Sequence, residues 1–263
     1  MSDSDIYNEN FYINQASYSL RSGVATLSIL FDLIGKPKSV LDVGCGTGSW
    51  LAAAHNHGVG DIFGVDGGSS AKDMLMIPPS CFRELDVCKS FTLSKKYDLI
   101  ISLEVAEHLN VESHTSFIQN LSAHGDVVLF SAAIPYQGGT GHRTENWPAY
   151  WCKLFSSFGY DCYDVIRPLI WDLPGIEFWY KQNIFLFIKS ETAASLGLVD
   201  AQRTQNPLAL VHPEMYLWSL RRSEELTEQQ YHFDRKYYFD LKDGKDTAFI
   251  SVPEYGSKFN NEF

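Results

Sequence analysis

The chain has 263 residues, 45% of them hydrophobic, enough to bury one sizeable core with a small appendage. Its 32 acidic residues against 21 basic ones leave a net charge of −11, which argues against a long polyanionic partner held by bulk electrostatics and favours a small substrate. No apolar run reaches the roughly 18 residues of a membrane span, the opening Met-Ser-Asp-Ser-Asp carries no apolar leader core, and Cys45, Cys81, Cys88, Cys152 and Cys162 stand at no metal-ligand spacing. A cytoplasmic protein with reduced thiols is the expectation.

Along the chain, seven short apolar runs read as strands: 39–43, 61–65, 82–86, 97–102, 126–132, 160–166 and 182–188. Helix-length segments near 20–34, 49–57, 110–123 and 147–158 alternate with them, and such alternation predicts a mostly parallel sheet with helices on both faces. Before the last run lies Arg-Pro-Leu-Ile-Trp-Asp-Leu-Pro-Gly, too rich in proline for a crossover helix, so that strand is expected to return antiparallel. After Ser190 the texture becomes small and polar. The reading therefore divides the chain into a main domain over 1–190 and an extension over 191–263, in which Pro213 opens a helix and 239–250 reads as a hairpin turning at Asp243-Gly244.

The most informative stretch is Val40-Leu-Asp-Val-Gly-Cys-Gly-Thr-Gly48, a strand that breaks into a Gly-x-Gly-x-Gly turn with Asp42 just before the first glycine. Such a turn lets a nucleoside-bearing ligand lie against bare backbone above the strand's carboxyl end. A dinucleotide fingerprint spaces its glycines Gly-x-Gly-x-x-Gly and serves a pyrophosphate, which a neighbouring carboxylate would repel. Gly44, Gly46 and Gly48 keep the tighter spacing, and Asp42 suits a cationic amino group. The second strand ends in Asp66, 24 residues after Asp42 and placed to meet a ribose diol; Asp86 closes the third strand and Ser102 the fourth.

These residues resemble motif I and the following strand ends of the class I S-adenosylmethionine (SAM) methyltransferases. The resemblance implies a doubly wound, seven-stranded, mostly parallel α/β sheet of Rossmann-like type, SAM as cofactor, and Asp42, Gly44, Gly46, Gly48, Asp66, Asp86 and Ser102 as its binding residues. Tyr7, Phe11, Tyr12, Tyr18 and Arg21 in the first helical segment read either as a lid over the cofactor or as core packing.

The fourth strand runs into Glu104-Val-Ala-Glu107-His108-Leu109, where positions i, i+3 and i+4 of a helical turn would share a face. His142, in Gly138-Gly-Thr-Gly-His142 after the fifth strand, is expected beside them. Glu104, Glu107, His108 and His142 form an oxygen and nitrogen set suited to a divalent ion, magnesium or manganese, that would acidify a bound hydroxyl. The pattern resembles the metal site of small-RNA terminal 2′-O-methyltransferases and, in part, ubiquinone-pathway O-methyltransferases. It also occurs in metal-free class I enzymes, where His108 serves as base and Glu107 faces solvent. His108 and His142 are the candidate catalytic residues. Trp147, Trp151, Leu154, Phe155 and Phe158 repeat at helical spacing and read as a buried face.

The reading that follows is methyl transfer to a small-molecule hydroxyl. RNA 2′-O-methylation and a non-catalytic SAM-binding partner protein stand as alternatives.

Overall fold

The structure, a computed structural model, describes residues 9–68, 74–198 and 202–222 with the single residues 232 and 236, and its side chains from residue 17 onward. Tyr7, the side chains of Phe11 and Tyr12, and the hairpin expected at 239–250 lie outside these described residues.

Helix α1 (Glu9–Ile34) leads into β1 (Ser39–Val43), α2 (Ser49–Asn56), β2 (Asp61–Asp66) and β3 (Phe82–Glu84). Then come β4 (Leu99–Leu103), α3 (His114–His124), β5 (Val127–Ser131), α4 (Pro148–Ser156) and β6 (Tyr160–Tyr163). The short helices α5 (Arg167–Ile170) and α6 (Phe178–Asn183), β7 (Phe185–Lys189), β8 (Arg203–Thr204) and α7 (Pro213–Arg222) complete the described elements. The sheet order is β3-β2-β1-β4-β5-β7-β6-β8. Strands β1 to β5 pair in parallel, while β7 runs antiparallel to both β5 and β6, as expected for the last long run.

Every residue of β1, β4 and β5 is buried, which is why these strands read as continuous apolar runs: helices cover both faces. Neighbouring side chains alternate between the two covers. Val40, Leu99 and Leu129 pack with Leu27 and Leu30 of α1 and Leu51 of α2, whereas Leu41, Ile100 and Val128 pack with Phe117 and Leu121 of α3 and with Trp151 and Phe155 of α4.

Three local readings are corrected, and the chain's compact units divide at His212–Pro213. Among the described residues the sheet has eight strands, because the chain after the polar break returns to pair β8 with β6, Cys162 opposite Thr204; two residues are too short to leave a periodic pattern. Strand β3 stops at Glu84, which leaves Asp86 in the following loop. Trp147 is 43% exposed, because it stands at the N-cap of α4 while Trp151 and Phe155 carry the buried face.

The turn after β1 shows why its glycines are needed. Gly44 sits at φ +84°, and an added Cβ would lie 2.5 Å from a methyl of Val105. Gly46 sits at φ +51°, and its missing Cβ would enter open space. Gly44→Ala is therefore expected to destabilise the fold by about 2–4 kcal/mol from strain and overpacking, read by urea denaturation. Gly46→Ala is expected to cost about 1 kcal/mol while weakening ligand binding, because its methyl would occupy the cavity described below. Equal stability losses in the two variants would contradict this division.

Candidate active site

The sheet order reverses direction between β1 and β4, the point at which a doubly wound sheet opens a crevice above its strand ends. The two strands are tied there: fully buried Ser102 donates its hydroxyl to the carbonyl of Val43 at 2.8 Å. Ser102 thus closes the floor of the crevice instead of facing into it. Beyond it the chain splays outward on both sides, and a cavity opens, with Ser19, Asp42, Gly44, Gly46, Glu104 and Tyr180 among its lining residues.

Asp42 is 3% exposed, and burial, reinforced by the nearby charge of Asp66, raises its carboxyl well above the ordinary range. A buried carboxyl of this kind gains from a cationic ligand, whose charge would offset the desolvation. Asp66 accepts the N–H of Gly46 at 2.8 Å on one oxygen and the N–H of Gly68 at 2.7 Å on the other. It pins the glycine turn to the end of β2, and each oxygen retains a lone pair for a ligand hydroxyl. Burial raises its carboxyl too, against the lowering effect of those two bonds. Asp86 is exposed, ion-paired with Lys89 at 3.0 Å, and held below the usual carboxylate range by that lysine; its backbone nevertheless lies beside Gly67 at the end of β2. Gly48 starts α2 at φ +79° with Ile77 against it. On α1, Ser19 hydrogen-bonds Tyr180 at 3.0 Å in the cavity wall. Tyr18 and Arg21 stack on one another, with Tyr18 43% exposed.

The second constellation divides differently from its spacing. Glu104 has φ +55°, a left-handed conformation that a non-glycine residue rarely adopts, and only Ala106–His108 form a 3₁₀ turn. The helical face assumed for Glu104, Glu107 and His108 is therefore broken at its first member. Glu104 turns into the cavity beside Asp42. Glu107, His108 and His142 converge, their nearest ligating atoms all within 4.8 Å of one another.

Two backbone hydrogen bonds make this convergence possible. Arg143 and Thr144 both donate their N–H to the carbonyl of Glu107, at 2.8 and 3.0 Å, and so bring the loop after β5 against the loop after β4. His108 and His142 then meet edge to face at 4.9 Å. Glu107 is fully buried and neither carboxylate oxygen has a hydrogen-bond partner; the N–H groups of Glu107 and Ala133 lie near enough to bias its charge without closing a bond of good geometry. Burial, and then the charge of Glu104, raise this carboxyl well above its ordinary value. Burial beside His142 lowers His108 to about 4, so its imidazole is neutral at neutral pH.

Further groups hold these side chains, of which the sequence pointed to Glu145, in the loop with His142, and not to the amides around Glu104. Glu145 accepts Nδ1–H of His142 at 2.8 Å and the N–H groups of Tyr136 and Gly138 at 2.7 Å each, leaving the His142 lone pair on Nε2. Gly139 gives that Nε2 its room, since an added Cβ would lie 2.1 Å from it. Gln137 donates to Glu104 at 2.9 Å, and Asn183 donates at 3.1 and 3.3 Å to its two oxygens. The Glu-x-x-Glu-His spacing carried a signal; the meeting of amides from the β5 loop and α6 carried none.

The orphaned Glu107 carboxyl has a measurable consequence. With its folded-state value above the unfolded one, it contributes stability at low pH that is lost as pH rises through the raised value. Glu107→Gln removes that loss, so its stability relative to the parent, measured by denaturation in chelator, is expected to improve as pH rises above the ordinary carboxylate range. A pH-independent difference would contradict the burial of an ionisable group here.

The solved structures that the chain resembles include DesVI of Streptomyces venezuelae, at 15% identity over 72% of this chain and 99% of that one with a TM-score of 0.53. They also include SAM-bound CalS10, an amino pentose methyltransferase from Micromonospora echinaspora, at 15% identity over 70% and 99% with a TM-score of 0.52. At these identities the likeness establishes the fold. No curated protein sequence matches the chain. Among the described residues no helix is long and apolar enough to cross a membrane. Residues 12–168, more than half of the chain and spanning both constellations, match the family model described as a methyltransferase domain; the chain belongs to that family and is a SAM-dependent methyltransferase.

Proposed function

We propose that the enzyme transfers a methyl group from SAM to a hydroxyl oxygen of a small molecule, a glycan precursor or secondary metabolite, with a divalent ion held by Glu107, His108 and His142. The observation that carries this reading is the three-residue cluster built beside the cavity. Glu104 belongs to the cavity wall, yet its charge acts on Glu107 and His142, so a donor and an acceptor would meet at that residue.

The cluster fits a cation on its own chemistry. A buried carboxylate without partners, a neutral His108 and a His142 whose Nε2 lone pair is fixed by Glu145 together form a ready ligand set. Two nitrogens and one carboxylate favour manganese or another first-row ion over magnesium, which prefers oxygen ligands. When bound, such an ion would lower the pKa of an acceptor hydroxyl.

In the reaction the acceptor oxygen attacks the methyl carbon in line with the sulfur. The carbon–oxygen bond forms as the carbon–sulfur bond breaks, the neutral thioether leaves, and the acceptor's proton passes to solvent, because the imidazole lone pairs of the cluster would be committed to the ion. Asp42 would face the ammonium of the cofactor, Asp66 its ribose, and Asp86, with its backbone beside the β2 end, its base. The convergence of Glu107, His108 and His142 supports an enzyme over a non-catalytic binding partner, and the net charge of −11 supports a small acceptor over RNA.

Purified protein with labelled SAM, screened against nucleotide sugars, other hydroxylated metabolites and short RNAs, tests the proposal. Transfer to a small hydroxylated acceptor, lost in chelator and restored by manganese, is expected; transfer to RNA alone, or full activity in chelator, would contradict it. Independently of any acceptor, manganese is expected to raise the melting temperature of the parent protein and not that of Glu107→Gln. An identical shift in both would remove the ion from this site.

A further inference from the structure

Residues 202–212 are fastened to the sheet at several points. Strand β8 pairs with β6, and Arg167, 1% exposed, donates both terminal nitrogens to the carbonyl of Leu208 at 3.1 Å. The same guanidinium is gripped by Asp164 at 2.8 and 2.5 Å, donates to the carbonyl of Gln182 at 3.1 Å, and stacks on Phe185. This anchorage delivers one backbone N–H, that of His212, to Oε1 of fully buried Gln182 at 2.8 Å.

That contact has a direction. A backbone N–H can only donate, so it fixes Oε1 of Gln182 as the acceptor and Nε2 as the donor. Nε2 then donates to Oε1 of Gln137 at 3.2 Å and to Oδ1 of Asn183 at 3.0 Å. With both of those oxygens occupied as acceptors, the Gln137 and Asn183 amides can present only NH₂ groups to Glu104. Asn183 also donates to Oε1 of Gln137 at 2.8 Å, which closes the network. Gln137, Gln182 and Asn183 are 6%, 0% and 2% exposed, so water does not compete along the relay.

We infer that this strap, acting through Gln182, is a positioning device for the cofactor site: it aims the Glu104 carboxylate into the cavity as a counter-charge for the cationic end of SAM. The left-handed backbone at Glu104 explains why such a device is needed, since a strained residue holds its conformation only where its surroundings impose it. Gln182 and the His212 N–H are positioning residues that touch no ligand. The inference deepens the reading of the cavity as the SAM site and rests on it.

The test is a double-mutant cycle in the full chain, read by calorimetry with two ligands, SAM and 5′-methylthioadenosine. The second keeps the nucleoside and lacks both cationic centres. Gln182→Met preserves the volume of the side chain and removes the relay. It is expected to weaken SAM by about tenfold, the scale of one charge-assisted hydrogen bond, and to leave methylthioadenosine unchanged. In a Glu104→Gln background the same change is expected to have no further effect on SAM. Equal weakening of both ligands, or a full effect without Glu104, would show a general loosening and overturn the inference, as would an unchanged SAM affinity. If the parent protein binds methylthioadenosine and SAM alike, the assignment of the cavity's cationic end fails first, and this outcome is distinct from failure of the relay. Asn183→Asp is a second variant that keeps the helix and replaces an NH₂ donor by a carboxylate; it is expected to reproduce the selective loss for SAM.

Discussion

The pairing of β1 with β4, sealed at its end by the Ser102 hydroxyl on the Val43 carbonyl, is the constraint on which the rest of the site depends. Two parallel strands whose chains leave in opposite directions must part above their last shared hydrogen bond, and the gap between them cannot be filled by either connection. On one side the chain leaves through Gly44 and Gly46, both at positive φ, with Val105 leaving no room for a side chain at Gly44. On the other it leaves through Glu104 at a positive φ. Cofactor cavity and chemical cluster are the two consequences of that single parting.

Charge distribution then separates the two functions. Asp42 and Glu104 line the cavity, Asp66 pins the glycine turn at its edge, and burial raises all three carboxyls, a surrounding that a cation relieves and a phosphate would aggravate. Glu107 carries the same penalty a few ångströms away, and neither of its oxygens has a hydrogen bond of good geometry. A protein that keeps an orphaned buried carboxylate beside two imidazoles retains a destabilising feature for which packing offers no reason. The cluster makes physical sense when a cation is part of it.

The fold was legible because both faces of the sheet are covered: fully buried strands leave continuous apolar runs at 39–43, 99–103 and 127–131 that no other element imitates. The glycine turn and Asp66 were legible for a related reason, since close approach of backbone admits few residue types. Glu104 was misplaced because a helical face was assumed where the backbone is left-handed, and spacing alone carries no record of φ. Ser102 was named near the end of its strand and is engaged with Val43, while Asp86 lies in the loop beyond β3, paired with Lys89. The relay from His212 to Glu104 could not be read at all. Its members are distant in sequence, and amides brought together by tertiary folding obey no period.

The account turns on a cation and a cofactor sharing one parting of the chain. The most direct measurement is a crystal structure of the protein grown with manganese and S-adenosylhomocysteine, using anomalous scattering to locate the metal. The account places the thioether ligand between Asp42 and Glu104 and a manganese peak among Glu107, His108 and His142, on the side to which the transferred methyl would point. A ligand seated elsewhere, or manganese found away from this cluster while the cofactor cavity is filled, would contradict it.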